Sequence, residues 1–260
     1  MKSIEKTVLE TISLILDNHP HLAPEVETLA KQAKEKLAAP SGPKPANANK
    51  KEDLFTMIFE TNMWANEESV SGDGSSLRYT ENLRKQMPII FRDLGIETIF
   101  DAPCGDFNWM RHVLKDYSIN YIGGDIVAAL VDKLNQEHGN SRTSFRHIDL
   151  TEQLFPAADM MMCRDCLFHL PYAEAKKIFQ NFVDSNIKYL FTTSHITLSG
   201  FTNVDVHLGG FALMNLGLAP YNFPKEAIYR VEDYIQGYPP REMVLWSRDQ
   251  VILGLKNSNF

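Results

Sequence analysis

Three predicted strands have an aspartate at their carboxyl ends: Asp101, Asp125 and Asp149. In an open α/β sheet these ends meet at one edge, and ligands bind beyond that edge. Asp125, after the second strand, is placed to accept hydrogen bonds from two ribose hydroxyls. Asp149, after the third, could accept one from an adenine amino group, with Leu150 covering the ring. The three acids therefore predict a site that holds a nucleoside by its sugar and its base.

The turn after the first predicted strand contains one glycine, in the sequence Ala102-Pro103-Cys104-Gly105-Asp106. A loop that binds pyrophosphate usually has a GxGxxG pattern, because its backbone must approach the phosphates closely. Here the aspartate at the start of the next helix would repel a phosphate. We therefore expect a ligand with an ammonium group, and an NAD(P)-dependent oxidoreductase is the disfavoured alternative.

Histidines and aspartates near the later strand ends are the candidates for a general base. His195 leaves the fifth predicted strand for a polar turn, which makes it the first choice. Asp165 is the second, and His169 is a third that could instead simply pack at a helix entrance. Cys163, Cys166 and His169 have the spacing of a partial metal site, but one CxxC without a second pair is weak evidence. We predict no metal.

The elements that position these residues begin near residue 95, where short apolar runs alternate with helical segments. This alternation is typical of a parallel sheet covered on both faces. Near the C-terminus, EMVLWS and QVILGL are separated by two residues, which predicts an antiparallel hairpin. The expected fold is a doubly wound, mostly parallel α/β sheet of seven strands. The predicted parallel strands lie at 96–101, 119–126, 143–150, 158–163 and 187–194.

The N-terminal part of the chain has a different pattern. Residues 1–38 have apolar positions at helical spacing on both sides of HPHLAP, which predicts a helical hairpin. Residues 39–51 are rich in proline, alanine and polar side chains, which predicts a linker before a main domain at 52–260. Because the hairpin has too little core to be stable alone, it could be a packed appendage, a lid or the contact of a homodimer.

The composition indicates a soluble globular protein, with 44% hydrophobic and 23% charged residues. A formal net charge of -7 disfavours nucleic acid and anionic membranes as partners, so we expect a small-molecule acceptor. No apolar stretch reaches the roughly eighteen residues of a membrane span. Three cysteines make a disulfide framework unexpected, and no secretory signal is visible. We therefore expect a cytoplasmic protein.

Four motifs resemble those of a known family. They are MWANEESVSGDGSSLRYTENLR (63–84), DAPCGDFNWM (101–110), CRDCLFHL (163–170) and NLGLAPYNFP (215–224). Over residues 55–255 the sequence resembles the class I S-adenosylmethionine (SAM) dependent methyltransferases, and within them a bacterial-type subgroup whose first motif reads D-x-P-C-G-D-F-N-W-M. The resemblance implies a Rossmann-like methyltransferase fold, SAM as methyl donor and S-adenosylhomocysteine (SAH) as product.

The resemblance also implies a role for each strand end. The first strand and its turn would face the methionine part of SAM, the second the ribose and the third the adenine. The end of the fourth strand would lie beside the methionyl chain, close to the transferred methyl. The implied cofactor contacts are Asp101, Ala102, Pro103, Gly105, Asp125, Ile126, Asp149, Leu150, Cys163 and Arg164.

The segment SVSGDGSSLRYTENLR has two interpretations. Gly72 and Gly74 permit unusual backbone angles, and Ser75 or Ser76 could cap a helix, so the segment could be a plain helix entry. Alternatively it is a flap over the cofactor, in which Arg78 or a nearby hydroxyl binds the SAM carboxylate or an acidic substrate.

Residues 196–224 are too many for an ordinary connection, and loops of this length are often functional. We expect this segment to form the acceptor pocket. The predicted activity is methyl transfer from SAM to a small polar acceptor, a hydroxyl of a sugar or related metabolite. A non-catalytic SAM-binding regulatory protein is the alternative from another class. The candidate pocket residues are Asn203, Asp205, Asn215, Tyr221 and Phe223.

Overall fold

The computed structural model describes residues 51–260. The hairpin predicted at 1–38, its proposed role in a homodimer and nearly all of the predicted linker lie outside them. Lys51, predicted to end the linker, is instead the first residue of a helix. None of the helices in the described part of the chain is long and apolar enough to span a membrane.

Helices and strands alternate through most of the described chain. The helices are α1 (Lys51–Glu60), α2 (Glu81–Leu94), α3 (Met110–Asp116), α4 (Ala128–His138), α5 (Tyr172–Asp184) and α6 (Arg248–Asn257). The strands are β1 (Thr98–Asp101), β2 (Asn120–Asp125), β3 (Thr143–His147), β4 (Met160–Cys163), β5 (Tyr189–His195), β6 (Tyr229–Glu232) and β7 (Arg241–Ser247). Short 3-10 turns cover Asp73–Ser75 and Leu167–His169.

The seven strands form one sheet in the order β3-β2-β1-β4-β5-β7-β6. Strands β1 to β5 are parallel, whereas β7 is antiparallel to both of its neighbours. The prediction of a doubly wound, mostly parallel α/β sheet with antiparallel C-terminal strands is confirmed. Strand order reverses at β1 and β4, so the crevice beyond their carboxyl ends is where this architecture places a ligand.

One of the two predicted C-terminal strands is wrong. EMVLWS lies in β7, but QVILGL lies in α6. The helix begins at a capping box, in which Ser247 Oγ accepts from the Gln250 N–H and Gln250 Oε1 accepts from the Ser247 N–H. The second antiparallel strand is β6, which precedes β7 in the chain. The spacing Ser-x-x-Gln is a helix-start signal that the apolar run concealed.

Apolar side chains pack on both faces of the sheet. In β4 the three methionines are buried and alternate, with Met161 in one apolar cluster and Met160 and Met162 in the other. Helices α5 and α6 contribute to the first cluster, and α2, α3 and α4 contribute to the second. Strand ends held between two packed layers give the groups beyond them fixed positions.

Candidate active site

A cavity of about 420 Å³ lies beyond the carboxyl ends of the central strands. This volume is within the usual range of small-molecule sites. Asp101, Asp125 and Asp149, the three acids that the sequence singled out, all line it. The topology therefore brings them into one site.

Asp125 ends β2 and is 7% exposed. Its Oδ2 accepts from the Gly105 N–H at 3.1 Å, and its Oδ1 accepts from the Val127 N–H at 3.0 Å. Burial raises the pKa of Asp125, although the backbone N–H groups of Val127 and Gly105 act in the opposite direction. Each carboxylate oxygen can accept a further hydrogen bond. Asp125 is thus fixed in place and still able to accept from two donors of a ligand.

Position 105 requires glycine for two reasons, its backbone conformation and the closeness of Ser71. Its φ is +53°, in the left-handed region that side chains disfavour. A Cβ at this position would also collide with Ser71 Oγ, which accepts a hydrogen bond from the Asp106 N–H at 2.9 Å. The single glycine of the turn therefore lies where the turn meets the segment at 69–75.

Replacing Gly105 with alanine should lower the free energy of unfolding by more than the same change at Gly95. Gly95 also has a positive φ, +61°, but nothing lies within 4 Å of a Cβ placed there. G95A should therefore cost only the backbone strain of about 1–2 kcal/mol. Urea unfolding of both variants measures the difference, and equal losses would contradict the contact with Ser71.

Asp106 ties the segment 69–75 to the β1 turn. Its carboxylate accepts from Ser69 Oγ at 2.9 Å and from the Val70 N–H at 3.0 Å. Residues 70–75 line the cavity, which supports the flap interpretation. Arg78 is exposed and does not line the cavity, so the ligand contact predicted for its guanidinium is not supported. Asp106 does not line the cavity either, and its role is to hold the flap against the β1 turn.

Asp149 lies beside helix α1, an element that the sequence analysis missed. Its Oδ1 accepts from Thr151 N–H and Oγ at 2.9 and 2.7 Å, and Lys51 Nζ lies 3.2 Å from its Oδ2. Lys51 also pairs with Glu174 at 2.6 Å. Although burial opposes it, contacts with Glu174 and Asp149 raise the pKa of Lys51. Since Lys51 and Phe55 both line the cavity, α1 covers its Asp149 side.

Asp101 is almost fully buried at the end of β1. Tyr121 Oη donates to its Oδ2 at 2.7 Å. Burial raises the pKa of Asp101 to about 7, against the opposing effects of Tyr121 and Arg164. A cationic group of a ligand beside Asp101 would favour the ionised carboxylate.

If the cavity holds the SAH that the sequence resemblance implies, SAH affinity should increase by roughly fivefold to tenfold between about pH 6 and pH 7.5, because its ammonium group would bind best to the deprotonated form of Asp101. The pH range brackets the Asp101 pKa of about 7. Calorimetric titrations across this range measure the effect. In D101N the affinity should be lower and independent of pH, and a wild-type affinity that does not change with pH would contradict the assignment.

A buried ion-pair cluster forms the β4 side of the cavity. Arg164 binds Asp233 through two hydrogen bonds of 2.9 and 3.0 Å and lies 3.2 Å from Asp165. Arg241, at the start of β7, contacts both oxygens of Asp165 at 2.8 and 2.9 Å. A Cβ on Gly74 would lie 2.6 Å from Asp165 Oδ2, so the flap rests directly on this pair.

The ion pairs decide the chemistry of Asp165. Burial alone would raise the pKa of Asp165, but Arg164 and Arg241 hold it below its ordinary value. A carboxylate with a lowered pKa and two arginine partners is a weak proton acceptor. Asp165, the second predicted base, therefore orients Arg241. Asp165 and Arg241 both line the cavity, but no local pattern indicates Arg241, because it comes from β7, far along the chain.

His195, the first predicted base, does not line the cavity. It is 2% exposed, and its Nδ1 lies 3.0 Å from the Met214 backbone nitrogen and 3.3 Å from the Met214 carbonyl oxygen. Because the contact with the N–H is the shorter and an N–H can only donate, Nδ1 is the acceptor. In the neutral ring the proton is then on Nε2, which leaves no free basic nitrogen. Burial lowers the pKa of His195 to about 4. The structure thus gives His195 a role in holding the long loop after β5.

His169 lines the cavity and has the opposite tautomer. Its Nδ1 lies 2.7 Å from the Gly210 carbonyl oxygen, which can only accept. The Nδ1 therefore carries the proton, and Nε2 keeps its lone pair. Burial lowers the pKa of His169 below its ordinary value of 6.5, so the ring is neutral near pH 7. Of the three predicted bases, His169 is the one that can accept a proton at the cavity.

The other predicted site residues differ in whether they line the cavity. Pro103, Ile126, Leu150 and Arg164 line the cavity, whereas Ala102 and Cys163 are buried outside its lining. Within residues 51–260 no three His, Cys, Asp or Glu side chains form a group that could hold a metal ion.

The long loop between β5 and β6 does not present the predicted pocket residues. Asn203 donates to the carbonyls of Asn215 and Ala219, and Asp205 accepts from the Tyr172 N–H at the start of α5. Tyr221 and Phe223 are buried in the core. The prediction was wrong about these residues, because their polar groups bind the chain itself and their rings complete the core. The loop contributes Phe211 to the cavity.

Comparisons with known proteins identify the fold through solved structures. No family model matches the sequence, and no curated protein does. A SAM-dependent methyltransferase of Leishmania major superposes with a TM-score of 0.56 at 11% identity, over 75% of this chain and 82% of that one. Magnesium protoporphyrin IX methyltransferase from Synechocystis PCC 6803, with bound SAH, gives 0.54 at 12% identity, over 76% and 100%. The chain has the Rossmann-like methyltransferase fold. In this chain the cavity lies where the strand order reverses, between β1 and β4, and the three aspartates line it.

Proposed function

We propose that residues 52–260 form a class I SAM-dependent methyltransferase domain that methylates a hydroxyl of a small acceptor. The observation that carries the proposal is Asp125, a buried carboxylate at the end of β2 that is fixed by two backbone N–H groups and faces the cavity. On this fold an acid at that position fits the two hydroxyls of a ribose.

The charges around the cavity favour SAM over a dinucleotide. Asp101, Asp125 and Asp149 offer carboxylates to a ligand with an ammonium and a sulfonium group. Among the described residues, the lysine and the two arginines that line the cavity are each paired with a carboxylate. A pyrophosphate would meet these acids without an unpaired cation, which disfavours an NAD(P)-dependent oxidoreductase.

Some residues of the cavity would bind SAM, and others would assist the methyl transfer. Asp101 and the turn through Gly105 would hold the methionine part, Asp125 with Ile126 the ribose, and Asp149 with Leu150 the adenine. Bound SAM supplies an electrophilic methyl: the acceptor oxygen bonds to the methyl carbon while the carbon–sulfur bond breaks, its electron pair remaining on sulfur. His169 Nε2 would take the acceptor proton. The flap and Arg241 would exclude water from that proton transfer.

Binding and turnover measurements test the proposal. SAH should bind in calorimetry, NAD should not, and labelled methyl should pass from SAM to acceptors in a broad screen. Binding of NAD without SAH would favour the oxidoreductase. Binding of SAH without methylation of any acceptor would favour a regulatory SAM-binding protein.

A further inference from the structure

The part of the cavity next to His169 is lined by aromatic rings. Trp64, Phe168, His169 and Phe211, here called the aromatic wall, all line it. The ring centroids of Phe168 and His169 are 4.5 Å apart, and those of Phe168 and Phe211 are 5.4 Å apart. Trp64 stacks on His169 with centroids 6.1 Å apart and planes at 29°. The candidate base is therefore embedded among rings.

Two of these rings are unusually exposed for large apolar side chains. Trp64 is 41% exposed and Phe211 is 58% exposed, and both line the cavity. Clustered exposed apolar surface at a cavity marks a place where another molecule binds. The position beside His169 indicates that this molecule is the methyl acceptor.

The long loop after β5 does not supply the polar groups that the sequence predicted for a sugar. A sugar would need several hydrogen-bonding partners for its hydroxyls, and the long loop was expected to supply them. Its asparagines instead bind the loop itself: Asn203 donates to the Asn215 carbonyl at 2.9 Å, and Asn215 Nδ2 donates to Thr197 Oγ at 2.9 Å. The loop offers the cavity an aromatic ring in their place.

We infer that the acceptor is a planar aromatic molecule, that its ring lies against the aromatic wall, and that the methylated group is its phenolic hydroxyl. The inference rests on the proposed function and narrows its acceptor. Aromatic faces and edges attract a second aromatic ring more specifically than they attract a saturated one. A phenolic acceptor therefore replaces the sugar hydroxyl that the sequence suggested.

Proton chemistry agrees with this class. A phenolic hydroxyl has a pKa of about 10, whereas the pKa of a simple alcohol is much higher and close to that of water. His169, with a pKa below its ordinary value, is a weak base that can more readily deprotonate the phenol. The proton passes to His169 Nε2 and then to solvent, the phenolic oxygen bonds to the methyl carbon, and the sulfur keeps the electron pair of the broken bond. The products are an aryl methyl ether and SAH.

Binding to the SAH complex tests the inference without requiring turnover. Naphthol should bind at least about tenfold more tightly than decahydronaphthol, catechol more tightly than cyclohexanediol, and methyl glucoside more weakly than either aromatic compound. Phe211→Ala should weaken naphthol binding by at least about fivefold and leave SAH affinity unchanged. Leu198→Ala is the matched control, because Leu198 lies in the same loop, is 85% exposed and does not line the cavity.

The outcomes separate the two proposals. Failure of SAH to bind would overturn the proposed function. If SAH binds but no aromatic compound binds more tightly than its saturated partner, the acceptor class is wrong and the methyltransferase proposal stands. Equal effects of F211A and L198A on naphthol would overturn the placement of the ring.

Discussion

Replacing Asp125 with alanine should weaken SAH binding by roughly a hundredfold to ten-thousandfold. Hydrogen bonds to a charged group each contribute about 1.5–3 kcal/mol, and two ribose hydroxyls would lose their acceptor. The sum of about 3–6 kcal/mol corresponds to roughly two to four factors of ten in Kd. The N–H groups of Gly105 and Val127 would also lose their partner, so the turn itself should become less rigid. Calorimetry with SAH measures the affinity.

The matched control for this change is Asp132→Ala. Asp132 is exposed on α4, only seven residues further along the chain, and does not line the cavity. D125N separates shape from charge: its remaining oxygen can accept one bond, so its affinity should fall between those of wild type and D125A. An SAH affinity of D125A within threefold of wild type would sink the assignment of the ribose to β2.

The sheet and the acids at its edge were predictable because both depend on local patterns. An apolar run of four to six residues, repeated between helical segments, is sufficient to place Asp101 and Asp125 at strand ends. Parallel packing then brings these ends together, whatever the intervening sequence is. The position of Gly105 follows from the same logic, since the turn after β1 must reverse direction within a few residues.

The functional state of the histidines was not predictable, because it depends on partners from distant segments. His169 follows β4 and His195 ends β5, and nothing local shows which of the two can act as a base. The Gly210 carbonyl accepts from a protonated His169 Nδ1, whereas the Met214 N–H donates to His195 Nδ1 and so leaves the ring proton on Nε2. Both partners lie in the long loop, whose path no periodicity indicates. The tautomer, and therefore the base, is a property of the tertiary structure.

The same limit explains Arg241 and Lys51. Each lines the cavity from an element far along the chain from its partner, and each is paired with an acid that the sequence singled out, Asp165 for Arg241 and Asp149 for Lys51. The sequence shows the carboxylates but not which cations neutralise them. The pairing changes the role of Asp165. Its place in the sequence predicts a catalytic base, but its ion pairs with arginines make it a positioning residue.

His169→Asn should lower kcat by roughly a hundredfold to ten-thousandfold, the usual contribution of a general base, while SAH affinity stays within about twofold. The asparagine amide can still donate to the Gly210 carbonyl, so the local structure should persist, but it has no basic nitrogen. Because burial holds the His169 pKa below 6.5, wild-type kcat/KM should fall as the pH drops through that lower value. H169N should lack this acidic limb, and added imidazole should partly restore its turnover.

His195→Asn is the control that distinguishes a base from a buried structural histidine. Its amide oxygen can still accept from the Met214 N–H, so the loop should remain attached while the imidazole is removed. H195N should retain the acidic limb of the pH profile and most of its turnover, and should be less stable to heat, because a buried ring is replaced by a smaller side chain. Loss of the limb in H195N with its retention in H169N would reverse the assignment, since the limb follows the residue that accepts the proton.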